Sequence, residues 1–217
     1  TTASGGVSTA MGNSTTASGI GATALGFSTV ASGNTSTAMG RYSKAIGYGS
    51  TAIGDSTVAL GNFGFAAGFR STANGHFSSA LGEGTLASGP YSMAMGTETN
   101  ATGTGSTSMG GFTHSSGQYS TALGFFSQAG GDYSIAGGYQ SNAQGTHTIA
   151  LGYQTIAAGT ASAAFGRNTI ANASYGVALG VYNNPIVPPP PVSPSPFDPL
   201  LMVGNGTSDA NRKNALV

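Results

Sequence analysis

Hydrophobic and polar positions along the chain follow a seven-residue rhythm between residues 5 and 180. A glycine occupies every slot of this rhythm except one, which Ala173 fills. Two positions before the slot the residue is almost always alanine, and four positions before it is almost always serine or threonine. Alternate side chains of an extended strand lie on one side of it. The pattern therefore predicts strands with one side of small residues, which close on each other in a flattened β-solenoid.

The opposite side of these strands carries a second rhythm of fourteen residues. In one set of heptads the residue before the glycine is mostly apolar, whereas in the alternate set it is mostly small or polar, with Ile46 and Leu60 as exceptions. One coil of the solenoid therefore contains two heptads. We expect an all-β, parallel solenoid with two short strands in each coil of fourteen residues, and with two outer faces of different character.

The apolar outer face compensates for changes in side-chain volume. Where the residue before the glycine shrinks to Ala67 or Gly137, the residue two positions earlier grows to Phe65 or Ile135. Such compensation is typical of a packed surface. Thirteen coils at a strand spacing of about 4.8 Å give a stripe about 60 Å long. Its area, on the order of 600 Å², reaches the largest apolar patches of ordinary monomers.

The same stripe on identical chains would cover this face, so the sequence predicts self-association along the solenoid. The predicted interface residues are Met11, Leu25, Met39, Ile53, Phe65, Leu81, Met95, Met109, Leu123, Ile135, Leu151, Phe165 and Leu179.

Individual repeats resemble a known family. The heptad STAIGDS at residues 50–56 and the segment SSALG at residues 78–82 are similar to the YadA-like head repeats of trimeric autotransporter adhesins, and the resemblance covers about residues 1–182. It implies a left-handed parallel β-roll, assembly as a homotrimer, an extracellular location and an adhesive role. The handedness and the number of chains come from the resemblance alone.

Three regions are predicted along the chain. Residues 1–182 form the β-roll head of about thirteen coils, residues 183–199 form a proline-rich linker of polyproline-II type, and residues 200–217 begin a connector. The connector resembles those of long bacterial surface fibres and phage-tail-type fibres. Because the chain begins within a repeat, we expect it to be a fragment of a longer protein, anchored in an outer membrane or on a particle through other parts.

Composition restricts the possible functions. The chain has no cysteine, and its six basic residues balance six acidic ones. Scattered lysines and arginines do not favour a nucleic-acid partner, which needs a basic surface. No apolar run reaches the length of a membrane span, so we expect no membrane insertion within this segment.

Catalysis has little support in the sequence. His76, His114 and His147 occupy different positions of the heptad, and the acidic residues are dispersed. Metal sites and acid–base pairs need such groups to converge. We expect no enzyme activity, no metal and no cofactor.

Two sets of residues are candidates for contact with a receptor. The first is a series of aromatic residues at fourteen-residue spacing on one corner, interpreted mainly as a stacking ladder and alternatively as a binding strip for a glycan or a matrix protein. It comprises Phe63, Phe77, Tyr91, Tyr119, Tyr133 and Tyr175, with Gly105, His147 and Ala161 as interruptions. The second set lies on the polar outer face and comprises Lys44, Asn100, His114, Gln128 and Asn142.

The resulting hypothesis is a structural and adhesive fibre segment that binds an extracellular protein or glycan on host, matrix or neighbouring-cell surfaces. A receptor-binding tail fibre of a phage or contractile injection particle would have the same repeat physics. A third hypothesis is ice binding, because flat rows of threonine suit an ice lattice. Its candidate row is Thr9, Thr23, Thr37 and Thr51.

Overall fold

The computed structural model describes residues 1–185 and 199–216. These residues form a parallel β-solenoid of about 13 turns with about 14 residues per turn, and they contain no helix. This confirms the predicted fold class and the two-heptad coil. The left-handed sense of the coil and the trimeric assembly stay predictions. The chain divides into two compact units, Thr1–Met109 and Gly110–Val217.

In the first unit, each coil pairs one strand of two residues with one strand of five. The short strands are β1 (Thr2–Ala3), β3 (Thr16–Ala17), β5 (Val30–Ala31), β7 (Lys44–Ala45), β9 (Val58–Ala59), β11 (Thr72–Ala73), β13 (Leu86–Ala87) and β15 (Asn100–Ala101). The long strands are β2 (Thr9–Asn13), β4 (Thr23–Phe27), β6 (Thr37–Arg41), β8 (Thr51–Asp55), β10 (Phe65–Phe69), β12 (Ser79–Glu83) and β14 (Met93–Thr97). Strand β16 (Thr107–Gly111) contains the boundary between the units.

The second unit repeats the arrangement and adds an end. Its short strands are β17 (His114–Ser115), β19 (Gln128–Ala129), β21 (Asn142–Ala143), β23 (Ile156–Ala157) and β25 (Ile170–Ala171). Its other strands are β18 (Thr121–Phe125), β20 (Ile135–Tyr139), β22 (Ile149–Tyr153), β24 (Ala163–Arg167), β26 (Val177–Val181), β27 (Leu201–Asn205) and β28 (Asn214–Leu216).

Within each unit, strands of one kind pair in parallel at an offset of one coil. In the first unit Leu25 lies beside Met39, and in the second Leu151 lies beside Phe165. Identical positions of the repeat therefore form straight rows, so any side-chain type that recurs every fourteen residues becomes a continuous stripe.

The core consists of the small residues that the heptad predicts. Its alanines, such as Ala24 and Ala136, are completely buried, and so are most of the serines and threonines four positions before the glycine. Some of these hydroxyl groups bond to the backbone. Ser36 donates to the carbonyl oxygen of Gly33 within one turn, at 2.6 Å, and Ser71 donates to that of Gly82, eleven residues ahead, at 2.8 Å. These bonds account for serine or threonine in some coils only, because other buried hydroxyl groups at this position make no hydrogen bond within the described residues.

The glycines fall into two sets, which the sequence pattern does not separate. Most of the ladder glycines that follow a short strand, such as Gly131, are buried as predicted. Those within the long strands all have a positive φ, +121° at Gly26, and most of them are exposed. The prediction that every ladder glycine faces the small-residue side is therefore wrong for the second set. A positive φ interrupts the alternation of side chains, and it requires glycine there.

The last coil is closed by an asparagine and by the connector. Asn183 is completely buried, its Oδ1 accepts from the backbone N–H of Ile170 at 2.7 Å, and its Nδ2 donates to the carbonyl oxygen of Ile170 at 2.9 Å. The amide thus satisfies the free edge of β25 as a further strand would.

The connector strand β27 pairs in parallel with β26, and β28 pairs antiparallel with β27. Arg212 fastens this end, because it donates to the carbonyl oxygens of Asn168 and Asn183, at 2.7 and 3.1 Å, and pairs with Asp209. Residues 186–198, most of the predicted proline-rich linker, lie outside the described residues, and the three-region division of the chain stays a prediction.

We expect Asn183→Ala to lower the free energy of unfolding by about 2 kcal/mol, because it leaves two buried backbone groups of Ile170 unpaired. The neighbouring Asn184 provides the matched control, since its exposed side chain makes no hydrogen bond to the described residues. Asn184→Ala should change stability little. Chemical denaturation of both variants measures the difference, and equal midpoints would contradict the capping role.

Candidate adhesive surfaces

The predicted interface residues lie on the outer face of the long strands, which we call the apolar face. Phe65 and Ile135 occupy the first position of their strands, and the other eleven residues occupy the third. In the single chain these side chains are about one-third exposed; Leu123, for example, is 38% exposed. Met11, in the first coil, reaches 63%. The structure thus places the predicted set on one kind of surface in each unit, while its burial between chains stays a prediction.

Side chains on the apolar face fill the gaps that small residues leave. Gly137 is buried because Leu151 of the next coil covers it, with Cδ2 at 2.8 Å from where a Cβ of residue 137 would lie. The volume lost at Gly137 is therefore made up by a neighbouring coil as well as by Ile135 in the same strand.

The aromatic series forms stacked ladders in both units. In the first unit, Phe63 stacks on Phe77 at 5.0 Å between ring centroids, and Phe77 stacks on Tyr91 at 5.3 Å, with planes within 13° of parallel. In the second unit, the ring of Tyr133 lies 5.5 Å from that of Tyr119.

His147 continues the second ladder, because its ring lies 5.1 Å from that of Tyr133 at an angle of 3°. The prediction that His147 interrupts the aromatic series is therefore wrong, because a flat imidazole ring stacks as a phenol ring does. The series does break at Ala161, so Tyr175 has no ring contact among the described residues.

A second aromatic row escaped the sequence interpretation. Phe125, Tyr139 and Tyr153 stack at 5.9 and 5.0 Å, and the guanidinium of Arg167 lies 5.4 Å from the centre of the Tyr153 ring. Phe126, one residue beyond this row, stacks on Phe112 at 4.9 Å. The fourteen-residue spacing of these aromatic residues could have indicated the second row in the sequence.

Stacking within the ladder should contribute to stability. Tyr133→Ser removes two ring contacts and is expected to lower the free energy of unfolding by about 1–2 kcal/mol. Tyr175→Ser is the matched control, because the two tyrosines have nearly equal exposure, 52% and 56%, and the same left-handed backbone. Thermal melting compares the variants. Equal losses would show that the rings do not support each other.

The polar candidates lie on the outer side of the short strands, which we call the polar face. His114, Gln128 and Asn142 are consecutive rungs of one row in the second unit. Lys44 and Asn100 lie in the corresponding row of the first unit, beside Val58 and Leu86 respectively. The structure therefore brings three of the five residues together, and the row is less uniformly polar than the predicted face.

The comparison with known families agrees with this geometry. A model described as YadA head domain repeat, in two copies, matches the chain in overlapping segments that run through residues 3–113 and 115–183. The chain belongs to the YadA head family. The heads of this family are surface-exposed structural and adhesive domains of trimeric autotransporter adhesins, which assigns the chain an adhesin-like role. No curated protein sequence matches the chain.

The head offers no converging catalytic or metal-binding groups in the part that the structure describes. Within residues 1–185 and 199–216, no three His, Cys, Asp or Glu side chains are placed to hold a metal ion. The same residues include no helix of the length and hydropathy needed to cross a membrane. YadA heads are structural domains rather than enzymes.

The threonine row proposed for ice binding is short. Thr9, Thr23, Thr37 and Thr51 pair in register in the first unit, but Phe65 occupies the next rung. The ring interrupts the flat repeat that ice recognition requires, and the row shares the apolar face.

One ion pair on the YadA head has a defined electrostatic role. Asp55 accepts hydrogen bonds from the hydroxyl of Ser56 at 2.7 Å and from Nε of Arg41, on the adjacent long strand, at 2.8 Å. The hydrogen bond from the Ser56 hydroxyl is the main cause that holds the pKa of Asp55 below its ordinary value, the hydrogen bond from Arg41 is the next, and desolvation opposes them. Both partners stabilise the ionised carboxylate.

Because the folded-state pKa is the lower one, this carboxylate contributes stability above the ordinary carboxyl range. The contribution is lost as the pH falls below about 4 and through the folded pKa. We expect Ser56→Ala to raise the pKa of Asp55, measured by NMR titration of its carboxyl carbon. An unchanged pKa would contradict the role of the hydroxyl.

Proposed function

We propose that the chain is the head of a homotrimeric surface adhesin, in which three copies associate through the apolar face and bind a receptor through the remaining surface. The observation that carries this proposal is the row of partly exposed apolar side chains along the long strands of each unit, in which Phe65 and Ile135 compensate for the small rungs at Ala67 and Gly137. Family membership supports three as the number of chains.

The energetics favour a cover for the apolar face. Burying one Leu, Met or Ile side chain stabilises by roughly 1.5–3 kcal/mol, and here about two-thirds of this burial is already achieved within the chain. Burial of the remaining third of each side chain between chains, repeated in every coil, would still contribute a large favourable free energy of association. An identical chain is a suitable cover because its apolar rows have the same spacing. Two such chains can therefore match rung for rung.

Receptor contact then falls to surfaces outside the apolar face. These carry the aromatic ladders and the polar face, and they repeat with each coil. Weak contacts of this kind add up when three chains present them together, so that binding becomes avid without a deep pocket. An extracellular protein or a glycan is the proposed class of receptor.

Adhesion of coated beads tests the proposal. Beads carrying the complete chain should attach to at least one of three surfaces: extracellular matrix, mammalian cells or bacterial cells. Beads with an equal density of the double variant Leu123→Asp/Leu151→Asp, which we expect to be monomeric, should attach at least about tenfold less, because multivalency is lost. Equal attachment by the two proteins, or attachment of the native chain to none of the surfaces, would contradict it.

A further inference from the structure

The second unit contains a hollow that none of the roles above explains. It has a volume of about 270 Å³ and is lined by Phe126, Gln128, Gln140, Ser141 and Asn142. Its walls combine one aromatic ring, three amides and a serine, and no ionisable side chain lines it. This volume is slightly below the roughly 300–1,000 Å³ of sites for drug-sized ligands. We propose that the hollow binds one sugar ring of a neutral carbohydrate, which would specify the receptor class of the proposed adhesive function and rests on it.

The aromatic wall is fixed in place. Phe112 stacks on Phe126 at 4.9 Å and an angle of 18°, and Phe125 meets its ring edge-on at 4.6 Å and 80°. Phe126 is 42% exposed and lines the hollow, and Gln140 holds the equivalent position in the next coil. The exposed part of the ring therefore offers an apolar surface to the weakly positive C–H groups of a sugar.

The amides of the turn row are oriented by each other. Asn168 donates from Nδ2 to Oε1 of Gln154 at 3.0 Å, and Gln154 donates from Nε2 to Oε1 of Gln140 at 2.7 Å. The acceptor of Gln140 is thus occupied, while its Nε2 group ends the chain beside the hollow with two N–H donors. A chain of amides that all point the same way strengthens its terminal donor.

Gln128 and Asn142 complete the polar wall. They are neighbouring rungs of the polar face, and neither side chain has a hydrogen-bond partner within the described residues. Each amide offers both donors and an acceptor, and sugar hydroxyl groups likewise donate and accept. An anionic ligand would instead need a cation, and none lines the hollow. The chemistry therefore favours a neutral carbohydrate over a sulfated or sialylated one.

Titration of the complete chain with defined oligosaccharides tests the inference. The probes are cellohexaose, maltohexaose and chitohexaose as neutral ligands, with a heparin hexasaccharide and sialyllactose as charged comparators, and saturation-transfer NMR detects binding. At least one neutral hexasaccharide should bind, and more tightly than either charged probe. Binding of none of the neutral probes, or preference for a charged one, would overturn the inference.

Two variants locate the site. Phe126→Ala should weaken binding by about tenfold or more, since it removes the apolar wall of the hollow. Asn142→Ala should weaken it as well and cannot disturb folding through a lost internal bond, because its side chain makes none. Phe77→Ala, which shortens a similar stack in the first unit, is the control and should bind normally. Undiminished binding by both test variants would place the carbohydrate elsewhere.

This outcome is separable from that of the bead experiment. If the beads adhere but no oligosaccharide binds, the hollow is not a sugar site and the adhesive function stands. If a sugar binds but the beads do not adhere, the sugar site stands and the adhesive function is contradicted.

Discussion

Gly131→Ala is expected to lower the free energy of unfolding by about 3 kcal/mol or more, whereas Gly130→Ala, one residue earlier, should change it by no more than about 0.5 kcal/mol. Gly131 is buried, and a Cβ there would overlap the carbonyl oxygen of Gly145 in the next coil. Gly130 is exposed, and the nearest atoms to its Cβ, in Ala143 and Ser116, would lie 3.9 Å away. The two substitutions add the same methyl group to adjacent positions.

The pair separates steric exclusion from backbone entropy. Alanine restricts the unfolded chain equally at both positions, so entropy alone predicts equal shifts. Only close approach of the coils predicts a large difference. Urea denaturation followed by circular dichroism measures it. If both variants unfold at the same urea concentration, the ladder glycines are not required by the spacing between coils.

Leu123→Asp together with Leu151→Asp should convert the proposed trimer to monomers. The two leucines are 38% and 37% exposed in the single chain, so carboxylates at these positions remain in contact with water in a monomer. Between chains they would be buried without a partner, which costs several kcal/mol for each ionised group. Three chains would bring six such groups together. Size-exclusion chromatography with light scattering gives the mass of the variant.

A control with the same added charge distinguishes this effect from general repulsion. Ser116→Asp with Gln144→Asp places two carboxylates on the polar face, where both native residues are exposed. This control should keep the native mass. Loss of assembly in both double variants would point to net charge, and retention in both would show that the apolar face is not the interface.

The heptad made the fold predictable because it constrains every layer of the coil. Small residues at alternate positions leave room only for two strands in close contact, so the completely buried Ala24 and Ser36 could be anticipated. The fourteen-residue rhythm of the outer side anticipated the apolar face. Each of these predictions depends on local alternation, which a sequence displays directly.

Other features depend on backbone geometry or on contacts between coils, which a pattern of residue types does not contain. Gly26 has the same place in the heptad as the other ladder glycines, yet it has a positive φ and is exposed. His147 interrupts the series of Phe and Tyr residues in the sequence, but its ring continues the stack on Tyr133. The cap at Asn183 is formed by a single residue that does not recur along the chain, so no repeat in the sequence indicates it.

The candidate sites show the same division. Rows such as His114, Gln128 and Asn142 follow from spacing, but the hollow beside Phe126 arises where two corners of neighbouring coils meet. The direction of the amide chain from Asn168 to Gln140 is likewise a matter of side-chain orientation. The repeat specifies which residues share a row, whereas the site depends on side-chain orientations and contacts between neighbouring rows.

The central claim is that the exposed apolar side chains of the long strands meet those of identical chains, and the mass of the complete chain in solution tests it most directly. Light scattering at micromolar concentration should return three times the chain mass of 21.1 kDa. A single chain mass, unchanged as the protein is concentrated, would contradict the claim.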